Sequence, residues 1–156
     1  MGVYKGNQGV TRDFVATGIV VDGDRVLLLF HHKLRRWLPP GGHIEAPELP
    51  EDAAIREVFE ETGLVVEILA EHEPAGFEHA LARPAGIQLE DIEPGHQHID
   101  LIYFARPIGN KEPKRNAESD AIGWFTLEEM RAMEVTEEVI AWGAKAIGAV
   151  SKMTGA

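Results

Sequence analysis

Arg56, Glu57, Glu60 and Glu61 put four charged residues into six positions that also have the pattern of a helix. On a helix, Glu57 and Glu61 are four residues apart and Glu57 and Glu60 three, so the three carboxylates converge on one patch. Two carboxylates about 6 Å apart repel by roughly 3 kcal/mol at an effective dielectric near 20, and by less than about 1 kcal/mol in water. Exposed, such a cluster costs little; in a cleft it calls for a counter-ion. Oxygen-only ligands suit Mg²⁺ or Mn²⁺ and not zinc. The competing reading is a solvated acidic helix face, which is what a Glu-Glu pair usually is.

The rest of the chain bounds that chemistry. Its 156 residues, 44% hydrophobic and 26% charged, fit one ordinary globular domain, expected to run over residues 1–156 and to bury a core without staples. The net charge of −11 would repel a polyanion at long range, which argues against general nucleic-acid binding. A small phosphorylated ligand is still allowed, because a metal ion and a few local cations reverse the sign inside a cleft. No apolar run reaches the roughly eighteen residues of a membrane span, and Met1 to Gly9 has no apolar core of a secretory signal. The absence of cysteine excludes disulfides, thiolate catalysis and thiolate zinc sites, and fits a reducing cytoplasm.

Elements must hold the carboxylates in place. Residues 14 to 30 form two β-rich runs around Asp22-Gly23-Asp24 and predict a hairpin. The basic segment His31 to Trp37 follows, then Leu38-Pro39-Pro40-Gly41-Gly42, read as a turn or loop. A helix is predicted over Pro50 to Thr62: Pro50 suits its first position, Glu51 and Asp52 the positive end of its dipole, and Gly63 its stop, whereas Leu49 is a poor N-cap. Ile55, Val58, Phe59 and Thr62 are expected on the packed side, with Glu57, Glu60 and Glu61 roughly opposite. Strands are predicted at Leu64 to Ala70, Gly86 to Ile92, His98 to Ala105 and Trp124-Phe125, with a polar loop over Pro107 to Asp120. Thr126 with Glu129 makes a capping box for a helix to about Met133, and Thr136 starts a last helix to about Val150. This order implies an α/β class, a mixed sheet between helices.

Gly42 to Leu64 also carries a longer pattern: Gly42, Glu48, Arg56, Glu57, Glu60, Glu61 and Gly63 at fixed spacing, with Val58 and Leu64 in aliphatic slots. With each identity present at roughly one in fifteen, chance agreement anywhere in the chain is below about one in a million. This stretch resembles the signature of the Nudix hydrolases, and the likeness extends loosely through the hairpin, the Trp37 to Gly42 lead-in and the Glu118 to Phe125 segment. It implies an α/β/α sandwich with the catalytic loop-helix-loop in mid-chain. It also implies Mg²⁺ or Mn²⁺ held by Glu57, Glu60 and Glu61 with the Gly41 carbonyl, Glu48 in support, and Arg56 orienting a helix glutamate. The general base is Glu118 or Glu57; Glu112 and Asp120 share the loop of Glu118. The implied reaction is attack of water on phosphorus in a nucleoside diphosphate linked to another moiety, such as a nucleoside triphosphate, a modified nucleotide or a nucleotide sugar. The alternative is a Nudix-fold nucleotide-binding or regulatory module without turnover.

Substrate contacts are less determined. Lys33, Arg35 and Arg36 are suited to phosphates, and Trp37, Phe77 or Tyr103 to stacking a base, though Trp37 fits a core equally. His96, His98 and Asp100 alternate, so on a strand they share one face, as a second metal site, as substrate contacts or as a half-exposed wall. The marks of ADP-ribose and dinucleoside-polyphosphate subfamilies, a Pro or Tyr beyond the box, are replaced here by Glu78 to Leu81. Hairpin edges are compatible with a homodimer.

Overall fold

The computed structural model describes residues 9–154; the Met1 to Gln8 part of the stretch read as lacking a signal lies outside them. The chain runs β1 (Thr11–Asp22), β2 (Arg25–His31), β3 (Arg36–Leu38), β4 (Gly41–His43), α1 (Pro50–Thr62), β5 (Val66–Leu69), β6 (Gly86–Glu93), β7 (His96–Pro107), β8 (Ser119–Thr126), α2 (Leu127–Ala132) and α3 (Glu137–Thr154). The strands form one mixed sheet in the order β3-β2-β1-β7-β5, with β4 on β1, β6 on β7 and β8 on β2. β1 and β7 run parallel in register from Thr11↔His96 to Val20↔Ala105, and the other pairs are antiparallel. Helices cover both faces, giving the expected α/β/α sandwich. Among the described residues no helix is long and apolar enough to cross a membrane.

Strand alternation divides the core in two. Ile19, Val21, Ile102 and Phe104 pack beneath Met130 of α2 and Ala146 and Val150 of α3. On the other face Ala16, Tyr103, Val20 and Ala105 pack beneath Ala53, Ala54 and Val58 of α1. α1 comes close because Gly18 has no side chain; a Cβ there would lie 2.8 Å from a Val58 methyl. Gly63 ends α1 in the left-handed region, φ 73°, its N–H bonded to the Phe59 carbonyl.

Several expectations need correction. Pro39-Pro40 is a turn, but Gly41 to His43 beyond it is a strand, paired Thr17↔Gly41 and Val15↔His43. Its glycines hide it from a propensity reading, since β1 and not side-chain packing fixes its extension. β8 begins at Ser119, five residues before the predicted Trp124. α1 is rotated from the expected orientation: Ala53, Ala54, Val58, Glu61 and Thr62 are buried, whereas Phe59 is 54% exposed. The close approach at Gly18 centres the packed face on Ala54 and Val58, and at 100° per residue that leaves Phe59 outside it and brings Glu61 within it.

Candidate active site

That rotation decides the electrostatics of the helix. The Glu61 carboxyl is 6% exposed, at the margin between α1 and β4, and the Gly41 N–H points at its Oε1 from 3.4 Å. Burial first, then the neighbouring Glu57 carboxylate, pushes the Glu61 carboxyl up to about 9. Gly42 makes the arrangement sterically possible, because a Cβ on it would lie 2.5 Å from the Glu57 carboxyl carbon. Gly41 is confined in turn, its absent Cβ 2.7 Å from the Ala16 carbonyl oxygen and from Thr17 Oγ1. The buried carboxyl pair, the close backbone and the all-oxygen donors fit a hard divalent cation.

Arg56 ties the patch together. Its Nε and Nη2 donate to both oxygens of Glu48, at 2.7 and 2.9 Å, a bidentate pair. Nη1 reaches Glu57 Oε1 at 3.0 Å and Glu60 Oε2 at 3.2 Å, and Nη2 also donates to the His43 carbonyl at 2.9 Å. These carboxylates hold the guanidinium pKa further above its already high value, with Glu48 the main cause. Arg56 thus pairs with two helix glutamates, as the resemblance implies for one, but Glu48 is the dominant partner. Glu60 is the outermost of the three helix glutamates, its side chain 55% exposed.

A cleft of about 650 Å³ opens above the patch, bounded by Glu57, Glu60, Glu61, Gly41 and Gly42 on one side. Glu118 lines it from the loop before β8. Two bonds bring that loop over the end of α1: Lys114 N–H to the Thr62 carbonyl at 2.8 Å and Asn116 Nδ2 to the Glu60 carbonyl at 3.1 Å. Asn116 Oδ1 also accepts from the Glu118 N–H at 2.9 Å, so one side chain sets both the loop and its acid. Of the three acids in the segment only Glu118 faces the cleft; Asp120 is bound to His32 and Arg35, and Glu112 is exposed outside it.

The opposite wall comes from β1, β6 and β7. His98 and Asp100 line it with Thr17, Gln88 and Glu90, and Arg36 lines the cleft from β3. Asp100 is 4% exposed; its Oδ2 accepts from Thr17 Oγ1 at 2.9 Å and its Oδ1 is left without a partner. Burial, then the Glu90 charge, pushes this carboxyl up to about 8, so it is protonated at neutral pH. Gln88 bridges the network outward, donating to Glu90 at 2.6 Å and accepting from Trp142 Nε1 at 2.9 Å. Burial is the main cause that lowers the His98 pKa below the usual histidine range.

Other predicted contacts lie elsewhere. Tyr103 is three residues from Asp100 on the same strand, hence on the opposite face, and is 2% exposed beneath α1. Arg35 pairs with Asp120 at 2.6 Å and lies over the Phe30 ring. Trp37 packs edge-on between Phe30 and Phe125, its core reading, and Phe77 is exposed on a loop. Sequence reading passed over Asp13, Thr17, His43, Gln88 and Glu90. Asp13 precedes the predicted run, which starts at residue 14, and only the observed extent of β1 and its register with β7 give Asp13 and Thr17 their partners.

The sequence profile of the NUDIX domain matches residues 12–143, and the chain belongs to the Nudix family. It is 30% identical over 126 residues to a probable DHNTP pyrophosphohydrolase of Lactococcus lactis subsp. cremoris (strain MG1363), covering 76% of this chain and 66% of that protein. It is 33% identical over 114 residues to a MutT-like protein of Streptomyces ambofaciens, covering 72% of this chain and 63% of the relative. The chain thus spans slightly less than two thirds of the length of these curated relatives. A Nudix-family hydrolase of Clostridium perfringens superposes with a TM-score of 0.78 at 32% identity, covering 90% of this chain and 99% of that one.

Proposed function

We propose that the protein is a divalent-metal-dependent pyrophosphohydrolase that cleaves the diphosphate linkage of a nucleoside-diphosphate derivative by attack of water on phosphorus. The observation that carries this reading is the pairing of part-buried Glu57, bonded by Arg56, with buried Glu61 beside the backbone of Gly41 and Gly42, with Glu118 lining the same cleft. Glu57, Glu60, Glu61 and the Gly41 carbonyl would hold Mg²⁺ or Mn²⁺, with Glu48 acting through Arg56. When bound, the metal supplies charge to the phosphate oxygens and lowers the pKa of the attacking water. Glu118 accepts the water proton as the new P–O bond forms and the bridging P–O bond breaks, with Glu57 the competing base. Arg36 meets the outer phosphates, and the wall around His98 and Asp100 faces the rest of the substrate. The names of the relatives, a probable DHNTP pyrophosphohydrolase and a MutT-like protein, favour a triphosphate.

A hydrolysis panel with Mg²⁺ or Mn²⁺ tests this: nucleoside triphosphates, oxidised nucleotides, DHNTP, nucleotide sugars and ADP-ribose, scored by the phosphates released. Glu57→Gln is expected to lower turnover by orders of magnitude, on the order of 10³-fold, through lost metal affinity. Near-normal turnover of that variant would sink the metal assignment. If Glu118→Gln has little effect while Glu57→Gln is severe, the base lies on the helix. Nucleotide binding with no turnover in the wild type would make the chain a binding module.

A further inference from the structure

Among the described residues, the metal-capable atoms of three side chains come together at a place away from the helix carboxylates. Asp13, His43 and His98 each offer one ligand atom, and these atoms lie within 4.8 Å of one another. They stand on three adjacent strands. Asp13 on β1 is directly opposite His98 on β7, and His43 on β4 is opposite Val15, two residues along β1. All three side chains therefore project from one face. One strand could not have gathered them; the register of three does.

The surroundings are organised around Asp13. Its Oδ2 is 3.0 Å from His43 Nε2 and 3.3 Å from His96 Nε2, and His96 Nδ1 is fixed by Thr11 Oγ1 at 2.8 Å. The His98 ring meets those of His43 and His96 edge-on, with centroids 5.1 Å apart in each case. We propose that Asp13, His43 and His98 form a second metal site, selective for a borderline divalent transition ion such as Zn²⁺, with His96 positioning Asp13. Two imidazoles and one carboxylate suit such an ion, whereas the all-oxygen helix site suits Mg²⁺. Ligand atoms around a tetrahedral ion with 2.0–2.1 Å bonds are about 3.4 Å apart, so the three need to close by little more than about 1 Å. Ligating carboxylates are themselves held by outer groups, and His96, with Nε2 3.3 Å from Asp13 Oδ2, stands in that place.

Three protein ligands leave a coordination position open. His43 and His98 both line the cleft, whose rim there also carries Glu45, Glu90 and Asp91. The ion accordingly adds positive charge to an acidic rim and offers its open position to water or an anionic group in the cleft. This site does not depend on the hydrolase reading.

The test is equilibrium binding on chelator-stripped protein with excess Mg²⁺ present to occupy the helix site. Zn²⁺ is titrated in competition with a chromophoric chelator, and Co²⁺ is followed by its visible d–d absorption. One site of micromolar or tighter affinity is expected, with the intense Co²⁺ bands of a low-coordinate nitrogen-containing site. His43→Ala and His98→Ala should each weaken binding by more than about 100-fold, and His96→Gln by about 10-fold. A Glu57→Gln/Glu61→Gln double variant should bind Zn²⁺ within about threefold of wild type, which separates this site from the failure of the helix site. No stoichiometric Zn²⁺ binding, or binding lost in the double variant and kept in the histidine variants, would overturn the proposal. Near-ultraviolet circular dichroism on each variant identifies any that misfold, and Asp13→Asn then replaces it as the third arm, with the same loss expected.

Discussion

The two walls of the cleft are built on different principles. The helix wall is local: Glu48, Arg56, Glu57, Glu60 and Glu61 lie within fourteen residues, and one guanidinium bonds four of their side-chain and backbone partners. The strand wall is assembled from Thr17, Gln88, Glu90, His98 and Asp100, whose bonds join positions 83 residues apart in sequence. The first gathers Glu48, Glu57 and Glu60 on one guanidinium beside the buried Glu61. The second sets a single buried carboxyl, Asp100, between the Thr17 hydroxyl and the charge of Glu90. A wall that keeps anionic oxygens is suited to a cation and to phosphorus chemistry. A wall of mixed donors and acceptors, Thr17, Gln88 and His98 among them, is suited to discriminating what is attached to the phosphates.

The sharpest way to break that contrast is at Gly42. A Cβ there would lie 2.5 Å from the Glu57 carboxyl carbon and 2.7 Å from Glu57 Oε2, so Gly42→Ala must displace the carboxylate. Turnover is expected to fall by about 100-fold, as for a misplacement of roughly 1 Å in a catalytic group. Calorimetric metal titration should show a parallel loss of affinity while far-ultraviolet circular dichroism stays unchanged. Wild-type kinetics would mean that the position of Glu57 is not what the helix wall contributes.

This contrast also explains what could be read from sequence. Family membership was legible because the spacing from Gly42 to Leu64 is a local property, and so were α1, its Gly63 stop and the Thr126–Glu129 capping box. The rotation of α1 was not, because it is set by the absent side chain of Gly18, forty residues from Val58. Tyr103 was placed among substrate contacts although its parity with Asp100 already put it on the other face of β7. The convergence of Asp13, His43 and His98 depends on the parallel register of β1 with β7, which no local pattern reports.

Asp100 sharpens the contrast through pH. Its carboxyl is near 8 in the folded protein against 3.8 ordinarily, so between about pH 4 and pH 8 the folded state keeps a proton that the unfolded state releases. The contribution to stability is therefore complete below pH 4, falls as pH rises through this window, and levels off above it. Asp100→Asn mimics the protonated carboxyl: its oxygen still accepts from Thr17 and its NH₂ faces Glu90. In metal-free buffer the variant should gain stability relative to wild type from pH 5 to pH 8, measured by urea unfolding, with substrate KM changed more than kcat. A difference that is flat with pH would show that burial does not raise the Asp100 carboxyl.

The smallest effect is expected at Phe59, which belongs to neither wall. It sits on α1 between the carboxylate patch and the core yet is 54% exposed, because the helix is rotated about Ala54 and Val58. Phe59→Ser removes an exposed ring and leaves the helix N-terminus, the Gly63 stop and every Arg56 contact intact. Serine has about the helix propensity of phenylalanine, and only the covered part of the ring is lost, so unfolding free energy should shift by no more than about 1 kcal/mol. Turnover should stay within about twofold of wild type. Val58→Ala, one residue away and fully buried at 0% exposure, should cost several times more by opening a cavity against Gly18. Comparable losses from both would show α1 seated with Phe59 inward. That seating would carry Glu61 out of its buried position and remove the reason for its raised pKa.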